Sequence, residues 1–191
     1  MKGVWELSEL IKQRNCIDHK ISNIIEWPAE KGHIAEWIAS QIFSITLNES
    51  KNKKGYDGIF NSPDLNGKKV DVKYSPFNEH LINLNPNVGE DIYLMVLTGP
   101  YKSASKAKHT YRPFCISNIY LFNEIDLCRT LTKKEVAVGT ASSVKKELWD
   151  KAEIYPEDRL HCDLGMNLEI VKLFECEECN IDQDKELKVN E

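Results

Sequence analysis

The chain has 191 residues, 41% of them apolar, enough to bury one substantial core, and a formal net charge of −5. No apolar run approaches the ~20 residues that a bilayer crossing needs, and Met1-Lys2-Gly3-Val4-Trp5-Glu6 lacks the apolar segment of a signal peptide, so the expectation is a cytoplasmic protein with no membrane partner. The charge argues against a nucleic-acid partner until it is located: from Glu175 to Glu191 seven acids stand against Lys185 and Lys188, which leaves the first 174 residues nearly neutral.

Taken in chain order, Leu7, Leu10, Ile11, Ile21, Ile24 and Ile25 recur at helical spacing and predict one or two amphipathic helices over Trp5 to Ile25, packed on the core. Pro28 is a start signal for a second helix, from Ala29 to Leu47, with Ile34, Trp37, Ile38, Ile42 and Ile45 on one broad stripe. Glu36 falls opposite the middle of that stripe, beside Ala39, Ser40 and Phe43, a small-residue side suited to lie against protein or a cleft. Glu30 is the competing helix acid, nearer the stripe.

Tyr56-Asp57-Gly58-Ile59-Phe60 reads as a short strand, Ser62 to Gly67 is dense in turn residues, and Lys68 to Tyr74 alternates with period two. Val70, Val72 and Tyr74 therefore share one face, Asp71 and Lys73 the other. A hairpin brings Asp57 beside Asp71. Two carboxylates and an ammonium on one spot suit a hard divalent cation such as Mg2+, with the lysine orienting or deprotonating a water or steadying a phosphorane-like transition state. A D-x-K tripeptide alone is common on solvated strand faces, so its surroundings decide its meaning.

Beyond the hairpin, Asn83 to Glu90 is a connection and Asp91 to Leu97 a continuous apolar run, predicting a buried central strand. Thr98 to Pro113 carries Lys102, Lys106, Lys108 and Arg112 with no acid, a basic loop suited to phosphate contacts, and Lys51, Lys53 and Lys54 form a second basic cluster. Phe114 to Ser117 and Ile119 to Phe122 read as strand or strand-turn-helix segments. A capped helix is expected from Thr140, starting near Ser142 or Ser143, and a last element ends near Phe174. The remainder, 175–191, is expected to be an acidic, mobile tail. Cys176-Glu177-Glu178-Cys179 has the spacing of a zinc half-site, with His161-Cys162 upstream, but adjacent His and Cys do not both aim easily at one ion. Cys16, Cys115 and Cys128 sit among apolar neighbours and read as small core residues in a reducing compartment.

Gly55-Tyr56-Asp57-Gly58, a turn, and Val70-Asp71-Val72-Lys73-Tyr74-Ser75 together resemble the core of the PD-(D/E)xK nuclease superfamily, the restriction endonuclease-like enzymes. Gly32-His33-Ile34-Ala35-Glu36 is similar to the G-x-x-x-E helix that supplies a further acid in many members. The resemblance covers about Gly32 to Leu97. It implies a single α/β domain over residues 1–174, a restriction endonuclease-like central mixed β-sheet flanked by α-helices, acting as a Mg2+-dependent DNA endonuclease in which Mn2+ substitutes. By that resemblance Asp57 and Asp71 ligate the metal, Glu36 ligates it or holds a metal-bound water, and Lys73 helps activate the attacking water. It further implies double-stranded DNA as substrate, a homodimer, and a size that fits a type II restriction endonuclease. A repair or junction-resolving nuclease of the same fold, and a non-catalytic nucleic-acid-binding module, remain open. The family's proline-aspartate pair occurs literally at Pro63-Asp64. Those residues read as the turn, so Asp57 is taken as the first strand acid, with Asp64 replacing it if the turn reading fails.

Overall fold

A computed structural model describes residues 2–49, 55–86, 92–101 and 112–176. Helix α1 (Lys2–Ile25) is followed by α2 (Lys31–Phe43), then β1 (Ile45–Leu47), β2 (Gly58–Phe60), β3 (Lys69–Phe77), β4 (Leu81–Ile82) and β5 (Ile92–Tyr101). The second half holds β6 (Asn118–Asn123), α3 (Glu124–Lys133), β7 (Ser142–Ser143), α4 (Lys146–Ala152), β8 (Glu153–Tyr155) and α5 (Leu168–Leu173). Six strands form one mixed sheet in the order β1-β2-β3-β5-β6-β8, and β4 pairs with β7 apart from it. Only β3 and β5 run parallel; the other pairs in the sheet are antiparallel. The protein is thus mixed α/β with a central mixed sheet, in line with the expected α/β class.

Alternation along the strands sends side chains to two faces, and each face has its own core. Val70 and Val72 of β3, Met95 and Leu97 of β5, and Ile119 and Leu121 of β6 pack beneath Ile38, Ala39 and Ile42 of α2 and Val171 of α5. On the other face, Leu94 and Val96 of β5 and Tyr120 and Phe122 of β6 are covered by Leu127 and Leu131 of α3 and Trp149 of α4. Three aromatic contacts pin Trp149, edge-on to Tyr120 and Phe122 with centroids 4.7 and 5.1 Å away, and 5.8 Å from the His80 ring. This second core ends at β5. One strand further on, its face is continued by Asp71 and Lys73, which pair in register with Leu94 and Val96.

Four expectations are corrected. The first segment is one unbroken helix, and it does not pack along the core: Val4, Trp5, Leu7, Leu10, Ile11, Ile17 and Ile24 are 49–74% exposed, and within it only Ile25 is buried. Helix α2 stops at Phe43, because Ser44 adopts a left-handed conformation (φ 51°, ψ 49°) and the β-branched Ile45-Thr46 go into β1. Its buried side, Ala35, Ile38, Ala39, Ser40, Ile42 and Phe43, joins Ile38 and Ile42 of the expected stripe to the small-residue side, while Ile34 and Trp37 at the stripe's other edge are only half-buried; close approach to the sheet favours alanine over those bulkier side chains. The helix expected from Thr140 begins at Lys146, since Ser142 and Ser143 pair with β4 instead.

The cysteines also differ from expectation. Cys115 is bonded to Cys176, 61 residues later, so it is not a free core thiol and Cys176 offers no thiolate to zinc. Cys16 is exposed, and Cys128 is half-buried against the second core. Glu175 bridges Ile116, so the chain stays tied to the body through Cys176, just past the expected start of the tail. The rest of that tail, including Cys179, and the basic residues Lys51, Lys53, Lys54, Lys102, Lys106 and Lys108 lie outside the described residues. Among the described residues no helix is long and apolar enough to cross a membrane.

Candidate active site

The hairpin of β2 and β3 forms as the sequence predicts, and its register sets the site. Gly58 pairs with Val70 and Ile59 with Lys69, so the next position outward sets Asp57 opposite Asp71. Asp57 sits just before β2 and is held from both sides. Its backbone N–H donates to the Val70 carbonyl (2.8 Å), its own carbonyl accepts from Asn48 N–H (2.9 Å), and its Oδ2 accepts the Val72 N–H (2.7 Å). A carboxylate thus takes up a main-chain donor of β3 where β2 has not begun, and is aimed across the hairpin by doing so.

Both glycines beside Asp57 have structural reasons. Gly55 has φ 106°, which a side chain rarely adopts. At Gly58 a Cβ would stand 2.5 Å from Ile45 Cγ2 and 2.8 Å from the Thr46 carbonyl oxygen, so the close passage of β1 requires glycine there.

Asp71 is largely withdrawn from water and Lys73 half exposed, with Nζ 2.6 Å from Asp71 Oδ1. Burial pushes the Asp71 carboxyl up; the Lys73 ammonium pulls it back, the Asp57 carboxyl beside it pushes it up again, and it comes to about 7. Burial acts on Lys73 in the opposite sense, lowering it, but attraction by Asp71, Asp57 and Glu36 outweighs that and its pKa is raised. Lys73 therefore stays an ammonium through neutral pH.

Glu36 is half-buried on α2, and its charge reaches the site through Lys73. The structure thus gathers Glu36, Asp57, Asp71 and Lys73 into one electrostatic neighbourhood, with Asp57, Asp71 and Lys73 as its compact part. Asp64 goes elsewhere. It lies in the turn, its N–H donating to the Asp163 carbonyl (3.3 Å) and its Oδ2 accepting the Asp163 N–H (2.7 Å). It fastens the turn to the loop before α5, so Asp57 is the acid beside Asp71. His33 is also occupied away from the pair, its Nδ1 3.0 Å from the Pro28 carbonyl and its ring tilted on Trp27.

Of the expected phosphate contacts Arg112 is described. Its guanidinium lies 4.6 Å from the centroid of Phe77, at the far end of the strand that carries Asp71 and Lys73, and Lys31 Nζ donates to its carbonyl (2.9 Å). Lys69, on the same face of β3, rests over the Tyr56 ring at 4.7 Å. Cations thus accompany β3 along its length. Lys31, Lys69 and Tyr56 were not legible as part of this surface. Only the Lys69 alternation with Asp71 hinted at it.

The two aspartates supply hard oxygen donors, and their mutual repulsion in a partly dry setting is what a divalent cation relieves. Among the described residues no group of three or more His, Cys, Asp and Glu is gathered closely enough to hold a metal ion, so any ion here takes the rest of its shell from water or substrate. Mg2+ is bound in that manner, through one or two carboxylates with retained waters and phosphate oxygens. No family model matches the chain, and neither the curated proteins nor the solved structures contain a match to it.

Proposed function

We propose that the protein is a metal-dependent DNA endonuclease hydrolysing phosphodiester bonds, of the PD-(D/E)xK, restriction endonuclease-like kind. The observation that carries this reading is the apposition of Asp57 and Asp71 across the β2–β3 hairpin, with the Lys73 ammonium 2.6 Å from Asp71. The helix bearing Glu36 before the hairpin, and the buried strand β5 after it, agree with the same reading.

Asp57 and Asp71 would hold Mg2+, or Mn2+ in its place, and Glu36, outside the close group, would act as an acceptor for a metal-bound water and not as a direct ligand. Bound there, the ion would supply positive charge against the scissile phosphate and acidify a water. The chain's own groups do the rest. Val72 N–H holds Asp57 so that one carboxylate oxygen remains for the ion. Lys73, kept protonated by three surrounding acids, orients the attacking water and stabilises the negative charge that builds on the phosphorus oxygens; its raised pKa makes it a poor base. Arg112 and Lys31 lie where β3 ends, suited to phosphates further along a strand of DNA.

Cleavage of supercoiled plasmid and defined linear duplexes in Mg2+ or Mn2+, with wild type beside Asp71→Ala and Lys73→Ala, tests the proposal. Cleavage by the wild type and its loss in both variants is expected. Equal cleavage by all three would sink the site, and discrete fragments would mark a type II restriction activity, whereas structure-dependent nicking would mark a repair or junction enzyme. Binding of duplex with no turnover in either metal would mark a non-catalytic module.

A further inference from the structure

We propose that α1 is the seam of a symmetric dimer, in which the helices of two copies pair antiparallel through Leu7, Leu10, Arg14, Ile17, Ile21 and Ile24. These six positions alternate in spacing by three and four, the heptad rhythm of a helix that pairs with another helix. Leu7, Leu10, Ile17 and Ile24 are exposed, and Ile21 is half-buried near the root where the helix joins the body. Most helical stability in proteins comes from packing of an amphipathic face, and this helix has almost no packing within its own chain to supply it. Its 24 residues extend about 36 Å, and two such helices in contact bury on the order of 1,000 Å² in all, the lower bound for a specific interface.

Charge selects both the occupant and the orientation. The one cation in the seam, Arg14, lies 3.3 Å from Asp18, a turn further on and beside the seam. In a parallel pair Arg14 would meet the partner's Arg14. Antiparallel, the layers become Leu7 on Ile24, Leu10 on Ile21 and Arg14 on Ile17, and each Arg14 comes level with the Asp18 of the other copy, giving two equivalent ion pairs about the two-fold axis. The stripe is self-complementary in apolar layers and in charge, which favours a second copy over a lipid surface or an unrelated helix. Trp5, although exposed, lies off the seam.

This inference is independent of the nuclease reading, because it is tested on the full chain without DNA or metal. Sedimentation equilibrium from about 1 to 100 µM should give twice the 22.0 kDa of one chain for the wild type, and a single chain for Ile17→Asp, a layer residue against the axis. Arg14→Asp should weaken association about tenfold or more, and the swap Arg14→Asp with Asp18→Arg, which also keeps the pair within each helix, should return it to within about threefold of wild type. An unchanged unfolding transition of the body in each variant shows that the chain still folds. A wild type monomeric throughout overturns the proposal, as does a dimer indifferent to Ile17→Asp. A dimer that Arg14→Asp leaves intact, or that the swap fails to restore, overturns the antiparallel register. A monomer that binds phosphatidylcholine–phosphatidylglycerol vesicles assigns the face to a membrane surface instead.

Discussion

The β2–β3 hairpin and α1 depart from ordinary burial in opposite directions. In the hairpin, two carboxylates and an ammonium are drawn partly out of water onto a sheet face that one strand further on is a continuous apolar core. In α1, leucines and isoleucines are left in water on a helix that joins the body only at its end. Both arrangements cost free energy in the isolated chain, and on the readings proposed above each cost would be relieved by something from outside: a cation for the paired aspartates, a matching apolar face for the helix. A departure from burial therefore identifies what is missing by its sign. Excess buried negative charge asks for a positive ion, and excess exposed apolar surface asks for more apolar surface.

The sharpest way to break this contrast is to remove the buried charges. Asp57→Ala and Asp71→Ala should each lower Mg2+-dependent cleavage by about 1,000-fold or more, since each removes a ligand of the ion that supplies the main electrostatic stabilisation. Asp64→Ala should stay within about threefold of wild type, because that carboxylate fastens Asp163 and not the site. Single-turnover rates on one defined duplex measure all three. A collapse with Asp64→Ala and survival with Asp57→Ala would reverse the assignment of the first strand acid.

Lys73→Ala should cost less, about 100-fold in the same rates, because it removes a charge that assists the ion but leaves the ion's ligands in place. Lys73→Arg should recover part of the loss, since the role is electrostatic and not that of a base. If arginine were as inactive as alanine, proton transfer by the amine would be the better account.

Much of the hairpin was legible because period two fixes which side chains share a face, and turn residues fix where the chain reverses: the pairing of Asp57 with Asp71 needs no more than that. The pairing also sets Asp57, and not Asp64, opposite Asp71, a placement that sequence left open, since the alternatives differ only in where the turn sits. Helix α1 was legible as a helix, but its packing was not. Amphipathic spacing states that an apolar face exists and is silent on what covers it, and the same Leu7, Leu10 and Ile24 serve equally well on a core or on a partner. The buried side of α2 was legible at Ile38 and Ile42 and misjudged at its edge for a related reason: hydrophobicity favoured Ile34 and Trp37, whereas close packing on a sheet favoured Ala35 and Ala39. Cys115 looked like core because its neighbours are apolar, and its partner Cys176, 61 residues away, is beyond any local pattern.

Protonation sharpens the comparison further. With Asp71 at about 7, a proton and a metal ion compete for the same carboxyl, so below about pH 7 the apparent affinity for Mg2+, and cleavage at subsaturating metal, should rise up to about tenfold per pH unit and level off above it. Proton release on Mg2+ binding, measured by calorimetry in buffers of different ionisation heat, checks this directly. A flat profile between about pH 6 and 8 would mean that the ion does not displace a proton from Asp71.

The smallest expected effect is on stability in the absence of metal, and its sign is opposite to that of the familiar salt-bridged aspartate. The folded pKa of Asp71 lies above its unfolded value, so the folded chain holds this proton more tightly, and stability from this group is greatest in acid and falls as pH climbs from about 4 to about 7. Partial exposure tempers the loss, which is on the scale of about 1–3 kcal/mol. Urea unfolding at several pH values should show that decline in wild type and its absence in Asp71→Asn, which cannot ionise, while saturating Mg2+ at pH 8 should restore stability to the wild type and do little for the variant. Leu10→Ser on α1 should leave the pH slope untouched, because its effect runs through association and not through a proton. The two regions would then be separable by the variable to which each responds: pH and metal for the hairpin, protein concentration for the helix.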